Sequence, residues 1–150
     1  MSLDAIKKKA LTKSLWVFHM STASCNNCDI EILDSLTPRY DLERFGITLV
    51  GSIRHADVIL CTGSVNRMTA PIIKKLYEEM PKPGFVVAFG ACGSSRGLFK
   101  DSYNTGQPID EIIPVDAYIP GCPPKPEAII GGLLKLIGKI NGKSKGKIKG

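Results

Sequence analysis

At 150 residues, with 43% hydrophobic and 23% charged residues, the chain can bury roughly 70% of the surface its unfolded form exposes, so it needs no disulfide framework or structural metal merely to fold. The net charge of +6 equals the charge of Lys135, Lys139, Lys143, Lys145, Lys147 and Lys149, and the neutral body that remains excludes a broad basic face for nucleic acid. No apolar run approaches the roughly 18 residues that span a bilayer, and no apolar segment with a small-residue cleavage site follows Lys7, Lys8 and Lys9, which argues against a secretory signal.

Residues 1–13 are expected to form an N-terminal arm, 14–140 one domain and 141–150 a basic flexible tail. The domain opens with an apolar run, Ser14 to Met20, expected as a buried strand. A helix over Cys28 to Leu36 would then set Ile32, Leu33 and Leu36 on one face. Ile47 to Val50 and Asp57 to Cys61 are the next strands. Thr69, with Pro71 close behind, marks a helix start, because proline is tolerated in the first turn where its missing N–H has no partner to lose; that helix runs to Met80 with Ile72, Ile73, Leu76 and Met80 together. Phe85 to Phe89 and Asp116 to Ile119 complete the strands, and Pro126 to Ile140 is the longest amphipathic stretch.

Strands that read as apolar runs, interleaved with helices, indicate a mostly parallel sheet covered on both faces, the α/β doubly wound class. Ligands of such sheets gather outside the carboxyl ends of the strands. Cys25 and Cys28 follow the first strand, Cys92 follows the fourth in Phe89-Gly90-Ala91-Cys92-Gly93, and Cys122 follows the fifth in Ile119-Pro120-Gly121-Cys122-Pro123-Pro124. In a reducing compartment these read as metal ligands or redox thiols rather than disulfides.

Four thiolates from three loops suit Zn²⁺ or an iron–sulfur cluster, both soft-ligand tetrahedral sites. One local pair plus two isolated cysteines in glycine-rich loops better suits a larger body wrapped from several sides. Gly90, Gly93 and Gly121 would let backbone N–H groups approach sulfur, and the helix starts after Cys25 and Cys122 would favour its negative charge. A redox dithiol at Cys25 and Cys28 would leave Cys92 and Cys122 unexplained. Cys61, inside a strand, reads as a buried small apolar residue. His19 and His55 read as structural, Asp29, Glu31 and Asp34 as a helix-start cluster, with Glu31 also a candidate for relaying protons to a partner's site. No catalytic constellation is visible.

Ser-Cys-Asn-Asn-Cys-Asp-Ile-Glu at 24–31, Leu-Thr-Pro-Arg-Tyr-Asp at 36–41, Arg-His-Ala-Asp at 54–57, Gly-Ala-Cys-Gly at 90–93 and Ile-Pro-Gly-Cys-Pro-Pro-Lys-Pro-Glu at 119–127 resemble the small subunit of membrane-bound NiFe hydrogenases, homologous to the 20 kDa subunit of respiratory complex I. The resemblance runs from about Leu15 to Leu136. It implies a flavodoxin-like sheet holding one 4Fe-4S cluster on Cys25, Cys28, Cys92 and Cys122, in an oxidoreductase subunit that relays electrons while bond chemistry occurs on a partner.

The implied partners are a large hydrogenase-like or 49 kDa-like subunit, a ferredoxin-like 4Fe-4S subunit and membrane-embedded subunits, which would hold the chain on the cytoplasmic side of the membrane. The paired form Cys25-Asn26-Asn27-Cys28 resembles the hydrogenase branch, although Asn27 stands where those members carry glycine. Gly63 to Pro71 looks more like the complex I version, so protons, sulfane sulfur or a quinone are the candidate acceptors. From another class, a structural zinc-binding module with four cysteine ligands is the alternative. A flavin-binding flavodoxin is disfavoured, because Thr22-Ala23-Ser24-Cys25 is not a thiol-free phosphate loop.

Overall fold

Val-Ile-Leu-Cys-Thr at 58–62 is buried at every position, the mark of a strand covered on both faces. Its side chains alternate: Val58 and Leu60 join Leu15, Val17, Val87 and Phe89 in one core, while Ile59 and Cys61 join Met20, Val86 and Ala88 in the other. The computed structural model describes residues 9–142. Its strands Leu15–Ser21 (β1), Ile47–Leu49 (β2), Val58–Thr62 (β3), Phe85–Phe89 (β4) and Ala117–Ile119 (β5) form a wholly parallel sheet in the order β2-β1-β3-β4-β5. That is the flavodoxin-like order, which changes direction between β1 and β3.

The helices are Asn27–Ser35 (α1), Thr69–Glu79 (α2), Gly90–Ser95 (α3), Ile109–Ile112 (α4) and Pro126–Ile140 (α5). Ile32 of α1 and Ile129, Leu133 and Leu136 of α5 cover one face of the sheet, and Ile73 of α2 and Ile109 of α4 the other. Every expected strand and helix is present, with ends displaced by no more than two residues.

Two face assignments need correction. Leu33 is 59% exposed and Ile72 is 55% exposed, because the buried stripe of α1 is Cys28, Ile32 and Ser35 and that of α2 turns on Ile73; each misplaced residue lies about 100° around its helix from the buried one beside it. The helix start at Thr69 holds, but its cap is Asn66, whose Oδ1 accepts from Met68 N at 2.9 Å and Thr69 N at 2.8 Å. The helices α3 and α4 have no counterpart among the expected elements.

Within the expected N-terminal arm, residues 9–13 are helical, and Ser14 N donates to Ala10 O at 3.0 Å. At the other end Asn141 N donates to Ile137 O. The rest of the arm, residues 1–8, and of the basic tail, residues 143–150, lies outside the described residues.

Candidate metal centre

Strand register lines up the site before any side chain is considered. Ser21 pairs with Thr62, Thr62 with Phe89 and Phe89 with Ile119, so the last residues of four neighbouring strands form one row about 14 Å long at ordinary strand spacing. Cys25, Cys92 and Cys122 follow three of these ends by three or four residues, and all leave the sheet at the same edge.

The loop carrying Cys25 is clamped to the end of β3. Thr22 N and Oγ1 donate to Thr62 O at 2.8 and 2.9 Å, and Thr69 Oγ1 donates to Thr22 O at 2.9 Å. Gly63 allows this approach, since a β-carbon there would fall on the backbone of Ala23 and Ser24. Cys28, the second residue of α1, is buried, whereas Cys25 is exposed.

Cys92 does not lie in an open glycine-rich loop, as the sequence suggested, but in the first turn of α3. A Gly-Ala-Cys-Gly-Ser-Ser run has weak helix propensity, and close packing explains why it holds: a β-carbon on Gly93 would meet Cys61 O at 3.1 Å, and one on Gly90 would meet Cys28 Sγ at 2.8 Å. Gly90 also has φ 77, a conformation that favours glycine. Ala91 N donates to Gly121 O at 2.7 Å, joining the Cys92 turn to the loop that bears the exposed Cys122.

Cys28 and Cys92 both respond to the thiols around them. Burial pushes the Cys28 thiol up to about 11, with Cys25, Cys92, Asp29 and Cys122 adding to the shift; Cys92 is pushed up by burial and then by Cys122 and Cys25. Such a set is costly as free thiolates and is relieved by a cationic centre. Cys61 is wholly buried in the opposite core and its thiol is raised by burial alone, which agrees with its reading as an apolar residue.

The donors fit a soft-ligand centre: all four are sulfur, the set that an iron–sulfur cluster or a tetrahedral zinc site uses. The space that Gly90 leaves beside Cys28 Sγ is a cradle that a β-carbon would fill. Ser94 Oγ, two residues past Cys92, is buried without a hydrogen-bond partner among the described residues. Apolar side chains crowd the loops that follow β3 and β4: Met68, Leu98 and Tyr103 are 75%, 93% and 88% exposed.

His19, read as structural from the sequence, sits in a hydrogen-bonded group with Asp29 and Thr62. Thr62 Oγ1 donates to Asp29 Oδ1, His19 Nε2 lies 2.9 Å from the same oxygen, and Nε2 and Thr62 Oγ1 are 3.1 Å apart. An ionised carboxylate only accepts, so Nε2 carries the proton. Asp29 does occupy the first turn of α1, but its partners are separated from it by 10 and 33 positions, a pairing no local motif signals. His55 lies edge-on to Trp16, ring centroids 6.4 Å apart, in ordinary packing. No helix among the described residues is long and apolar enough to cross a membrane.

A family model described as NADH ubiquinone oxidoreductase, 20 Kd subunit, matches residues 25–136. The probable membrane-bound hydrogenase subunit mbhJ of Pyrococcus furiosus is 49% identical over 93% of the chain and 84% of its own length. An NADH-quinone oxidoreductase subunit of Citrifermentans bemidjiense is 48% identical over 93% of the chain and 79% of its own. Among solved structures, a chain of the membrane-bound sulfane sulfur reductase, an archaeal respiratory membrane complex, superposes with a TM-score of 0.81 at 42% identity, covering 91% of this chain and 76% of that one.

Proposed function

The chain belongs to the NADH ubiquinone oxidoreductase 20 kDa subunit family and is an oxidoreductase subunit, and on that footing we propose that it is the electron-relay subunit of a membrane-bound hydrogenase-like respiratory complex, holding one 4Fe-4S cluster on Cys25, Cys28, Cys92 and Cys122. The observation that carries this reading is the arrival of those four thiols at one edge of a parallel sheet while Cys61 is buried in the opposite core. Residues 14–140 are the unit that bears the site.

A bound 4Fe-4S cluster supplies a centre that accepts and releases one electron. The chain's own residues do the rest. Cys28, buried at the start of α1, is the inner ligand, and Cys25 and Cys122 are the outer ones. Gly90 keeps the space beside Cys28 Sγ open. Met68, Leu98 and Tyr103 form an apolar rim for the large hydrogenase-like subunit, with a ferredoxin-like 4Fe-4S subunit as the other soluble neighbour. Membrane-embedded partners would keep the chain at the membrane's cytoplasmic side. A second reading, the same role in a sulfane sulfur reductase, is favoured by the 0.81 superposition; intact nickel-ligand cysteine pairs in the large partner would select the hydrogenase.

Anaerobic purification, followed by iron and acid-labile sulfide analysis and electron paramagnetic resonance after reduction, tests the proposal. About four iron and four sulfide per chain, with a resonance from the reduced centre, is expected. A colourless, sulfide-free protein containing zinc would overturn it in favour of a structural module.

A further inference from the structure

Asp29 directly follows the buried Cys28. Its side chain is only 15% exposed, and one oxygen is held from two directions, by Thr62 Oγ1 at the end of β3 and by His19 Nε2 on β1. A carboxylate gripped by groups on two core strands cannot swing into solvent, so its charge stays at a constant place in the first turn of α1. Asp29 is thereby fixed one residue from the buried Cys28, in the same turn of α1. Elsewhere on α1 the acids Glu31 and Asp34 have no such anchor among the hydrogen bonds of the described side chains.

Resting on the cluster reading above, we propose that Asp29 is the residue that sets the reduction potential of the centre, a fixed negative charge beside Cys28, and that Thr62 and His19 are its positioning residues. Reduction adds one electron to a centre already ligated by thiolates, and a negative charge nearby opposes that step. The effect is static: no proton has to move, and Asp29→Asn removes the carboxylate's negative charge while keeping a side chain of the same size. A weakly screened position strengthens the effect, because the interaction grows as the surroundings exclude water.

The test is redox titration of the complex purified with this subunit, monitored by the resonance of its reduced centre, for wild type, Asp29→Asn and Asp29→Glu. Asp29→Asn should favour reduction by about tenfold in the equilibrium constant, equivalent to about 59 mV upward for one electron. Asp29→Glu, which keeps the charge, should stay within about threefold of wild type. Asp29→Ser, small and also neutral, repeats the reading if the amide does not fit.

An unchanged potential in the neutral variants overturns the inference while leaving the cluster proposal intact. Equal shifts in Asp29→Asn and Asp29→Glu, or loss of the cluster from both neutral variants while Asp29→Glu retains it, would mean a purely structural role and overturn it too. A wild-type subunit without a cluster defeats the earlier proposal, and this one with it.

Discussion

A β-carbon placed on Gly90 would stand 2.8 Å from Sγ of Cys28, although the two residues lie on different helices and 62 positions apart. The first turn of α3 therefore closes against the inner sulfur only because position 90 has no side chain. This contact ties the loop after β4 to the loop after β1 across the intervening β3, and it makes the site sensitive to a single methyl group.

Gly90→Ala should accordingly weaken the site twice over, by contact with Cys28 Sγ and by the φ of 77 that alanine adopts only under strain. A stability loss of about 1–3 kcal/mol and a reduced iron content are expected. Urea denaturation and metal analysis check both; full iron loading at unchanged stability would contradict the packing described.

Serine at any one of Cys25, Cys28, Cys92 or Cys122 should lower iron and sulfide per chain sharply, because in the proposed centre each supplies one of four thiolates. Cys61→Ser should retain the metal and instead cost about 1–3 kcal/mol, since it places a hydroxyl in a dry core. Iron, sulfide and denaturation measurements on the five variants separate ligand from core cysteine.

Asn66→Ala should destabilise the chain by about 1 kcal/mol through loss of the acceptor for the N–H groups of Met68 and Thr69 at the start of α2. Asn66→Asp, which keeps the acceptor oxygen, should recover most of that. Thermal melts of the three proteins under one buffer condition provide the comparison.

Asp57 offers a pH test away from the metal centre. Burial raises its carboxyl above the ordinary 3.8, against the lowering effect of the hydrogen bond it accepts from Trp16 N. A folded value above the unfolded one means that the native state binds the proton more tightly, so this group's contribution is full at low pH and is lost as pH rises through the folded value. The stability of Asp57→Asn relative to wild type should therefore be greater at pH 7 than at pH 3. Urea titrations at the two pH values measure it; the opposite ordering would refute the sign.

Most of the architecture was legible in one dimension. Val58 to Cys61 and Phe85 to Phe89 are apolar runs because a parallel strand is covered on both sides, and that requirement is written into every residue. The placing of the cysteines was legible for the same reason: topology sends all parallel strand ends to one edge, so residues after β1, β4 and β5 leave the sheet there. Faces of helices were read less well, as Leu33 and Ile72 show, since adjacent leucines and isoleucines satisfy the same periodicity while burial depends on which neighbour the helix meets.

Thus local composition determined the strands, the class of sheet and the edge at which Cys25, Cys92 and Cys122 leave it, because each depends on near-neighbour chemistry or on chain order alone. Only the tertiary structure decided that Gly-Ala-Cys-Gly-Ser-Ser coils into a helix, and that His19 and Thr62 hold Asp29. Both outcomes turn on atoms brought within a few ångströms by packing of distant segments, and neither helix propensity nor sequence spacing encodes that proximity.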